Sequence, residues 1–278
     1  VNKKGYETEV IATKYKGHAT ELMKNLEPVD LVMSFGGDGT FNEIMTGNFQ
    51  RKEKLLLTHI PVGTTNDIGG MFGYTKNILE NVKLSLNGVV KDMDIGLINN
   101  HPFIYVAGFG KYTNISYETS RNLKKKIGHL AYIKEGITAF FRKTKLYDVT
   151  YEIDGEKFRG LFSLILISNA NHIAGVKNVY KDIKLDDDQF EIIFCTIRKR
   201  KDIIKSLYFL TLYGPSKVPG IRFYKTNNIK ITINTPTNLA WCIDGEKLEE
   251  TPKQYNIKTE NKVKILVPTK NTKKLFTK

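Results

Sequence analysis

Cysteine is nearly absent. Cys195 and Cys242 are the only two in 278 residues, and no partner spacing suits zinc. That argues against a disulfide framework and for a reducing compartment, the cytoplasm. Long apolar runs are missing as well. The longest clean one, Leu164–Ile167 with its flanks, is far short of the about 20 residues that cross a bilayer. No signal-peptide pattern opens the sequence. The five histidines, His18, His59, His101, His129 and His172, show no metal-ligand spacing and read as structural. Negative charge is the scarcer sign: 29 Asp and Glu face 43 Lys and Arg, a formal net charge of +14. Such an excess favours an anionic partner, whether nucleic acid, an acidic bilayer or a phosphorylated substrate. Nucleic acid has only the charge in its favour, because no recognition motif accompanies it.

Hydrophobic residues make up 41% of the chain, enough for one large domain or two ordinary ones. Residues 1–95 alternate strand and helix signals. Thr8–Ala12 reads as a strand, Gly17–Leu26 as a helix with apolar residues at helical spacing, and Val29–Phe35 as a compact, mostly apolar strand. A helix over Phe41–Gly47 and a strand over Leu55–Ile60 follow. This βαβ rhythm predicts a doubly wound parallel sheet. Residues 96–267 change character. After a strand at Phe103–Ala107 and a helix over Ile127–Phe141, β signals dominate: Val149–Ile153, Lys157–Ile167, Phe190–Thr196, Ile229–Ile233, Leu239–Ile243, Tyr255–Lys258 and Val263–Val267. A core helix over Asp202–Tyr213 interrupts them. The expectation is an α/β unit followed by a mainly antiparallel, sandwich-like β unit, with the tail 268–278 returning to the first.

Two loops carry the chemistry. Ligands of open parallel sheets bind beyond the carboxyl ends of the strands, and both loops sit at such ends. In Gly36-Gly37-Asp38-Gly39-Thr40, the glycines permit close backbone approach. Consecutive N–H groups there, with the helix N-terminus that follows, can cradle phosphate. Asp38 would repel that phosphate without an intervening cation, which hints at Mg²⁺. Pro61-Val62-Gly63-Thr64-Thr65-Asn66-Asp67 adds a hydroxyl, an amide and a carboxylate. Either loop alone is equally well a glycine-rich turn with an Asp helix cap. Two on successive strands favour a nucleotide-binding reading of the α/β unit.

The ordered set formed by these loops, Met93-Asp94-Ile95-Gly96, Ala107-Gly108-Phe109-Gly110, Ser116-Tyr117-Glu118-Thr119, Gly128-His129-Leu130-Ala131-Tyr132 and Asp244-Gly245-Glu246 is informative. It resembles the catalytic domain shared by diacylglycerol kinases, sphingosine kinases and bacterial lipid kinases. The soluble bacterial diacylglycerol kinases are the nearest in pattern, over essentially the whole chain. The resemblance implies ATP-dependent phosphorylation of diacylglycerol by a cytoplasmic homodimer at the inner membrane face, with residues 96–267 as the lipid-substrate domain. It implies ATP contacts at Thr13, Gly36, Gly37, Asp38, Gly39, Thr40, Asn42, Gly63 and Thr64. Asp38 and Asp67 would hold catalytic Mg²⁺, and Glu246 would be the general base. Lys184, Asp187 and Gln189 match a structural Mg²⁺ site of the family.

The sequence departs from the family pattern in two places. Asp188 stands where the family usually has glycine, and the sequence starts at Val1, past the family's first strand and its Asn-Pro-x-Ser-Gly phosphate loop. The basic runs Lys124–Lys126 and Arg198–Lys201 read equally as solvated surface or as contacts to an anionic bilayer. An NAD kinase shares the first glycine loop but not the later motifs, and a non-catalytic lipid or nucleotide sensor is a further alternative. Asp154-Gly155-Glu156 repeats the Asp-Gly-Glu tripeptide inside a hairpin pattern, so only position distinguishes the two copies.

Overall fold

The computed structural model describes residues 5–111, 113, 144–173, 176, 177, 180, 182–199, 202, 205, 206, 208, 209 and 213–277. The expected helix over Ile127–Phe141, the Lys124–Lys126 run, the motifs at 116–119 and 128–132, and most of the expected helix over Asp202–Tyr213 lie outside these residues.

The chain opens with α1 (His18–Asn25), β1 (Val32–Gly36), α2 (Asp38–Phe49), β2 (Leu57–Pro61), α3 (Asp67–Phe72) and α4 (Ile78–Leu86). Strands β1 and β2 run parallel, with Val32 opposite Leu57 and Gly36 opposite Pro61. Every residue of β2 is buried, as expected of a parallel strand covered on both faces. Asn77 starts α4 by accepting the Glu80 amide at 3.1 Å, which satisfies one of the free N–H groups of a first helical turn. The expected strand at Thr8–Ala12 does not form. Residues 6–14 carry no regular structure and are exposed, Val10 by 92%. Apolar alternation makes a strand only where a neighbouring ladder exists, and no described strand pairs with this segment.

Two sheets follow from the rest. β3 (Val89–Ile98) and β4 (His101–Phe103) join β6 (Tyr147–Ile153), β7 (Glu156–Phe162), β13 (Asn228–Ile233) and β16 (Gln254–Val267) in one sheet with β1 and β2. Parallel pairing in that sheet is confined to β1, β2 and the end of β16, where Ile265 lies opposite Leu57. The remaining pairs are antiparallel, so the sheet is mixed, not wholly parallel. The second sheet is antiparallel throughout, in the order β12 (Ile221–Thr226), β11 (Phe190–Cys195), β8 (Leu164–Ser168), β5 (Val106–Gly110), β14 (Cys242–Ile243) and β15 (Glu246–Lys247). Short strands β9 (His172–Ile173) and β10 (Val176–Lys177) pair separately.

Three strand expectations are corrected. Phe103–Ala107 is the end of β4 and the start of β5, strands of different sheets, because the amides of Ile104, Tyr105 and Val106 turn to the Asp244 carboxylate. Lys157–Ile167 is two strands in different sheets, because the Ser163 amide and hydroxyl both bond to the Cys195 carbonyl and turn the chain from β7 into β8. Tyr255–Lys258 and Val263–Val267 are one strand, β16, with a bulge between Thr259 and Lys262. The polar residues between them stay extended because β3 pairs on either side of the bulge.

Two apolar clusters hold the molecule. Phe41, Met45, Leu57, Ile68, Met93, Ile265, Leu275 and Phe276 are among those in the first. The second lies between the two sheets and includes Tyr151, Phe162, Ile192, Phe194, Ile231, Trp241 and Tyr255. Tyr151 and Phe194 stack with centroids 4.1 Å apart, and each such buried side chain contributes roughly 1.5–3 kcal/mol. Strand β11 serves both clusters by its period of two, Ile193 facing the first while Ile192 and Phe194 face the second. After β16 the chain packs back through α5 (Thr272–Leu275). The Leu185 amide bonds to the Leu275 carbonyl there, at 2.7 Å.

Candidate functional site

The two glycine loops meet. β1 and β2 end side by side, and the Val62 amide donates to the Gly36 carbonyl at 2.8 Å. A Cβ on Gly63 would lie 2.5 Å from the Cα of Gly37, so the two backbones touch where side chains have no room. Asn66, at φ 54°, closes the second loop with a reciprocal pair: its side chain accepts the Gly63 amide and donates to the Gly63 carbonyl, both at 2.8 Å. Gly37 precedes α2, and no side chain caps that helix. Its first-turn amides and positive dipole end therefore stand beside the loop junction, a setting suited to an anion. A Cβ on Gly39 would meet open space, and Thr64 is exposed. Beneath the loops His59 stacks on Phe41 at 4.7 Å with its Nδ1 3.1 Å from the Ser34 hydroxyl. Burial lowers its pKa to about 4, so the ring is a neutral packing element.

Asp38 joins the loops through its carboxylate, which accepts the amides of Asp67 at 3.0 Å and Ile68 at 3.1 Å. Burial raises its pKa and these amides pull it back. Asp67 is itself buried. The third carboxylate of the region is Asp244, also buried, which accepts the amides of Ile104, Tyr105 and Val106 and the Asn42 side-chain amide at 2.6–3.1 Å. Burial pushes its pKa up to about 6 against the opposing pull of those donors. Asn42 lies on α2 and Asp244 in the β14–β15 turn, so their 2.7 Å bond ties the helix that follows the first glycine loop to the second sheet. The Tyr105 phenol, buried among these groups, has its pKa raised by burial first, then by Asp244, Asp38 and Asp67. No motif singles out Tyr105 or the Asn42–Asp244 bond. Only the three-dimensional meeting of β5, α2 and the β14–β15 turn reveals them.

Both Asp-Gly-Glu tripeptides are hairpin turns with positive φ at Asp and Gly: 52° and 80° at Asp154 and Gly155, 47° and 87° at Asp244 and Gly245. Their surroundings differ. Asp154 and Glu156 are exposed. Glu246, half-exposed, forms a 2.6 Å ion pair with Lys16, three residues beyond Thr13 in the exposed segment that leads into α1. Asp38, Asp67, Gly36, Gly37, Gly39, Thr40, Asn42, Gly63 and Thr64 thus share one junction, and the Asp244 turn brings Glu246 and Lys16 beside it.

Lys184, Asp187 and Gln189 lie elsewhere, in the loop before β11. The Lys184 ammonium donates to the carbonyls of Lys273, Lys274 and Phe276 at 3.0–3.1 Å. Asp187 accepts the Gln189 amide at 3.2 Å and pairs with Lys225 at 2.7 Å.

A family profile described as "Diacylglycerol kinase catalytic domain" matches residues 1–98. Diacylglycerol kinase of Staphylococcus epidermidis is 33% identical over 273 residues, covering 96% of this chain and 84% of that protein. Diacylglycerol kinase of Bacillus subtilis is 31% identical over 245 residues, covering 87% and 80%. Among solved structures, a putative diacylglycerol kinase from Bacillus anthracis superposes with a TM-score of 0.75 at 25% identity, over 92% of this chain and 85% of that one. With the two glycine loops joined at one junction and relatives of this identity matched along most of their length, the chain belongs to the diacylglycerol kinase family and is a kinase.

Proposed function

We propose that the protein transfers the γ-phosphoryl group of ATP to the free hydroxyl of diacylglycerol, giving phosphatidic acid. The observation that carries this reading is the 2.7 Å Asn42–Asp244 bond, which sets an acid-bearing hairpin against a phosphate-binding helix start. The α2 amides, with Gly36, Gly37, Gly39, Thr40 and Gly63, hold the phosphates by backbone contact. Asn42, Thr64 and Thr13 complete the nucleotide site. Asp38 and Asp67 suit Mg²⁺. Among the described residues no cluster of three or more His, Cys, Asp or Glu forms a metal cage, and Mg²⁺ typically takes one or two carboxylates with water and substrate phosphates. Asp38 and Asp67 would hold the ion there, and it would supply charge neutralisation for the transferring phosphoryl group. Glu246 takes the hydroxyl proton, and Lys16 holds its carboxylate in place beforehand. The protein acts as a homodimer on the inner face of an anionic membrane.

The test is a thin-layer assay with labelled ATP against diacylglycerol, monoacylglycerol, ceramide and NAD. Product with diacylglycerol above the others supports the proposal; a preference for ceramide, monoacylglycerol or NAD overturns the substrate. In the same assay Glu246→Gln is expected to lose about a hundredfold or more, the range of general-base removal, while Glu156→Gln changes little. If Glu156 is the sensitive position, the base is misassigned.

A further inference from the structure

The acidic loop before β11 gathers Asp186, Asp187 and Asp188 near two buried carboxylates, Asp94 and Glu191. Its family resemblance calls for a structural divalent ion there, yet each of these carboxyls is engaged by the protein itself. We infer that in this chain the ammonium groups of Lys225 on β12 and Lys262 on β16 occupy the cation positions of the loop, so that it is held without a divalent ion.

The Lys225 Nζ lies 2.7 Å from Asp187 Oδ2 and 3.4 Å from Glu191 Oε1. The Lys262 Nζ lies 3.2 Å from Asp188 Oδ1 and 3.6 Å from Asp94 Oδ1, and donates to the Asp186 carbonyl at 2.9 Å. Two further carboxylate oxygens have backbone donors: Asp187 Oδ1 accepts the Gln189 amide, and Asp94 Oδ2 accepts the Asp188 amide at 2.6 Å, while Glu191 Oε2 is buried without a hydrogen-bond partner. Asp186 accepts the amide and hydroxyl of Thr277. Mg²⁺ needs near-octahedral oxygen at about 2.0–2.1 Å. An ammonium in contact with the Asp187 carboxylate fills that space and repels a second cation at the same distance. The departure at Asp188 fits this arrangement. Its backbone is left-handed, φ 59°, which glycine adopts freely and Asp tolerates better than most residues. In exchange for glycine's freedom, the Asp188 carboxylate gives Lys262 a partner. A divalent requirement of this protein is then confined to the nucleotide. That consequence rests on the proposed activity; the loop assignment does not.

The test is thermal unfolding of nucleotide-free protein in EDTA and in millimolar Mg²⁺. Wild type is expected to shift by less than about 1 °C between the two, since an ion that does not bind the folded state does not stabilise it. Lys225→Met frees Asp187 and Glu191, and is expected to gain a Mg²⁺-dependent rise of about 2 °C or more. If that variant does not fold, wild type and Asp187→Asn decide. A Mg²⁺-dependent rise in wild type that Asp187→Asn abolishes overturns the inference. A rise that survives Asp187→Asn belongs to another site and upholds it. All three readings are of stability, so failure of the kinase assay would leave them intact.

Discussion

The carboxylate of Asp38 accepts the first two amides of α3, so its removal deletes a helix cap as well as a charge beside the proposed phosphate site. Asp38→Ala is therefore expected to abolish turnover and to lower stability by about 1 kcal/mol, the usual cost of a lost cap. Asp38→Asn, which keeps one acceptor oxygen, should recover part of the stability and none of the turnover. Calorimetry beside the labelled-ATP assay checks both; a rate above about a tenth of wild type in Asp38→Ala would contradict the metal role. Asp38 was legible because three glycines surround it. Asp244 was half legible: its tripeptide stood out, but so did the identical one at Asp154. What separates them is that amides at 104–106 and the Asn42 side chain converge on one carboxylate and leave the other in solvent. Lys225 and Lys262 were illegible. A lysine in a strand looks solvated until the opposite loop is known.

At the scale of elements, the glycine loops differ in what their missing side chains accommodate. Gly63 faces the Gly37 backbone, whereas Gly39 faces open space. Gly63→Ala is expected to lose about 1–3 kcal/mol, as overpacking does, because the β1 and β2 ends must part. Gly39→Ala should leave the melting temperature unchanged or higher, since alanine favours the helix, yet raise the KM for ATP by intruding on the nucleotide. Melting curves and ATP saturation of the two variants separate these cases, and equal melting losses would refute the distinction. The βαβ start was readable because β1 and β2 lie in mostly apolar segments ended by glycine or proline. The break at Ser163 was not, since nothing in Leu161-Phe162-Ser163-Leu164 marks a change of sheet; the cause is a bond to Cys195, a residue of another strand. The join across Thr259–Lys262 was hidden for the same reason, with β3 enforcing extension on a polar stretch that resembles a turn.

For the whole molecule, the charge of +14 and the absence, among the described residues, of any helix long and apolar enough to cross a membrane suit the proposed encounter at a bilayer surface. Co-sedimentation with vesicles should increase with acidic lipid and fall as salt rises, because exposed charges are screened within about 8–10 Å at physiological ionic strength. Equal binding to neutral and acidic vesicles at low salt would refute it. The two-part architecture was readable from the shift in strand and helix signals, but the strand that joins the parts was not. β16 pairs with β13 through Gln254–Lys258, with β2 at Ile265, and with β3 along most of its length. In the order of synthesis, Leu57 must wait for Ile265. The first sheet leaves the ribosome with an open edge beside β2 and closes only when β16 arrives. Completion of the first sheet is thus a late event, governed by a long-range pairing. A nascent chain stalled before residue 254 would expose that edge while both cores lacked their shared strand.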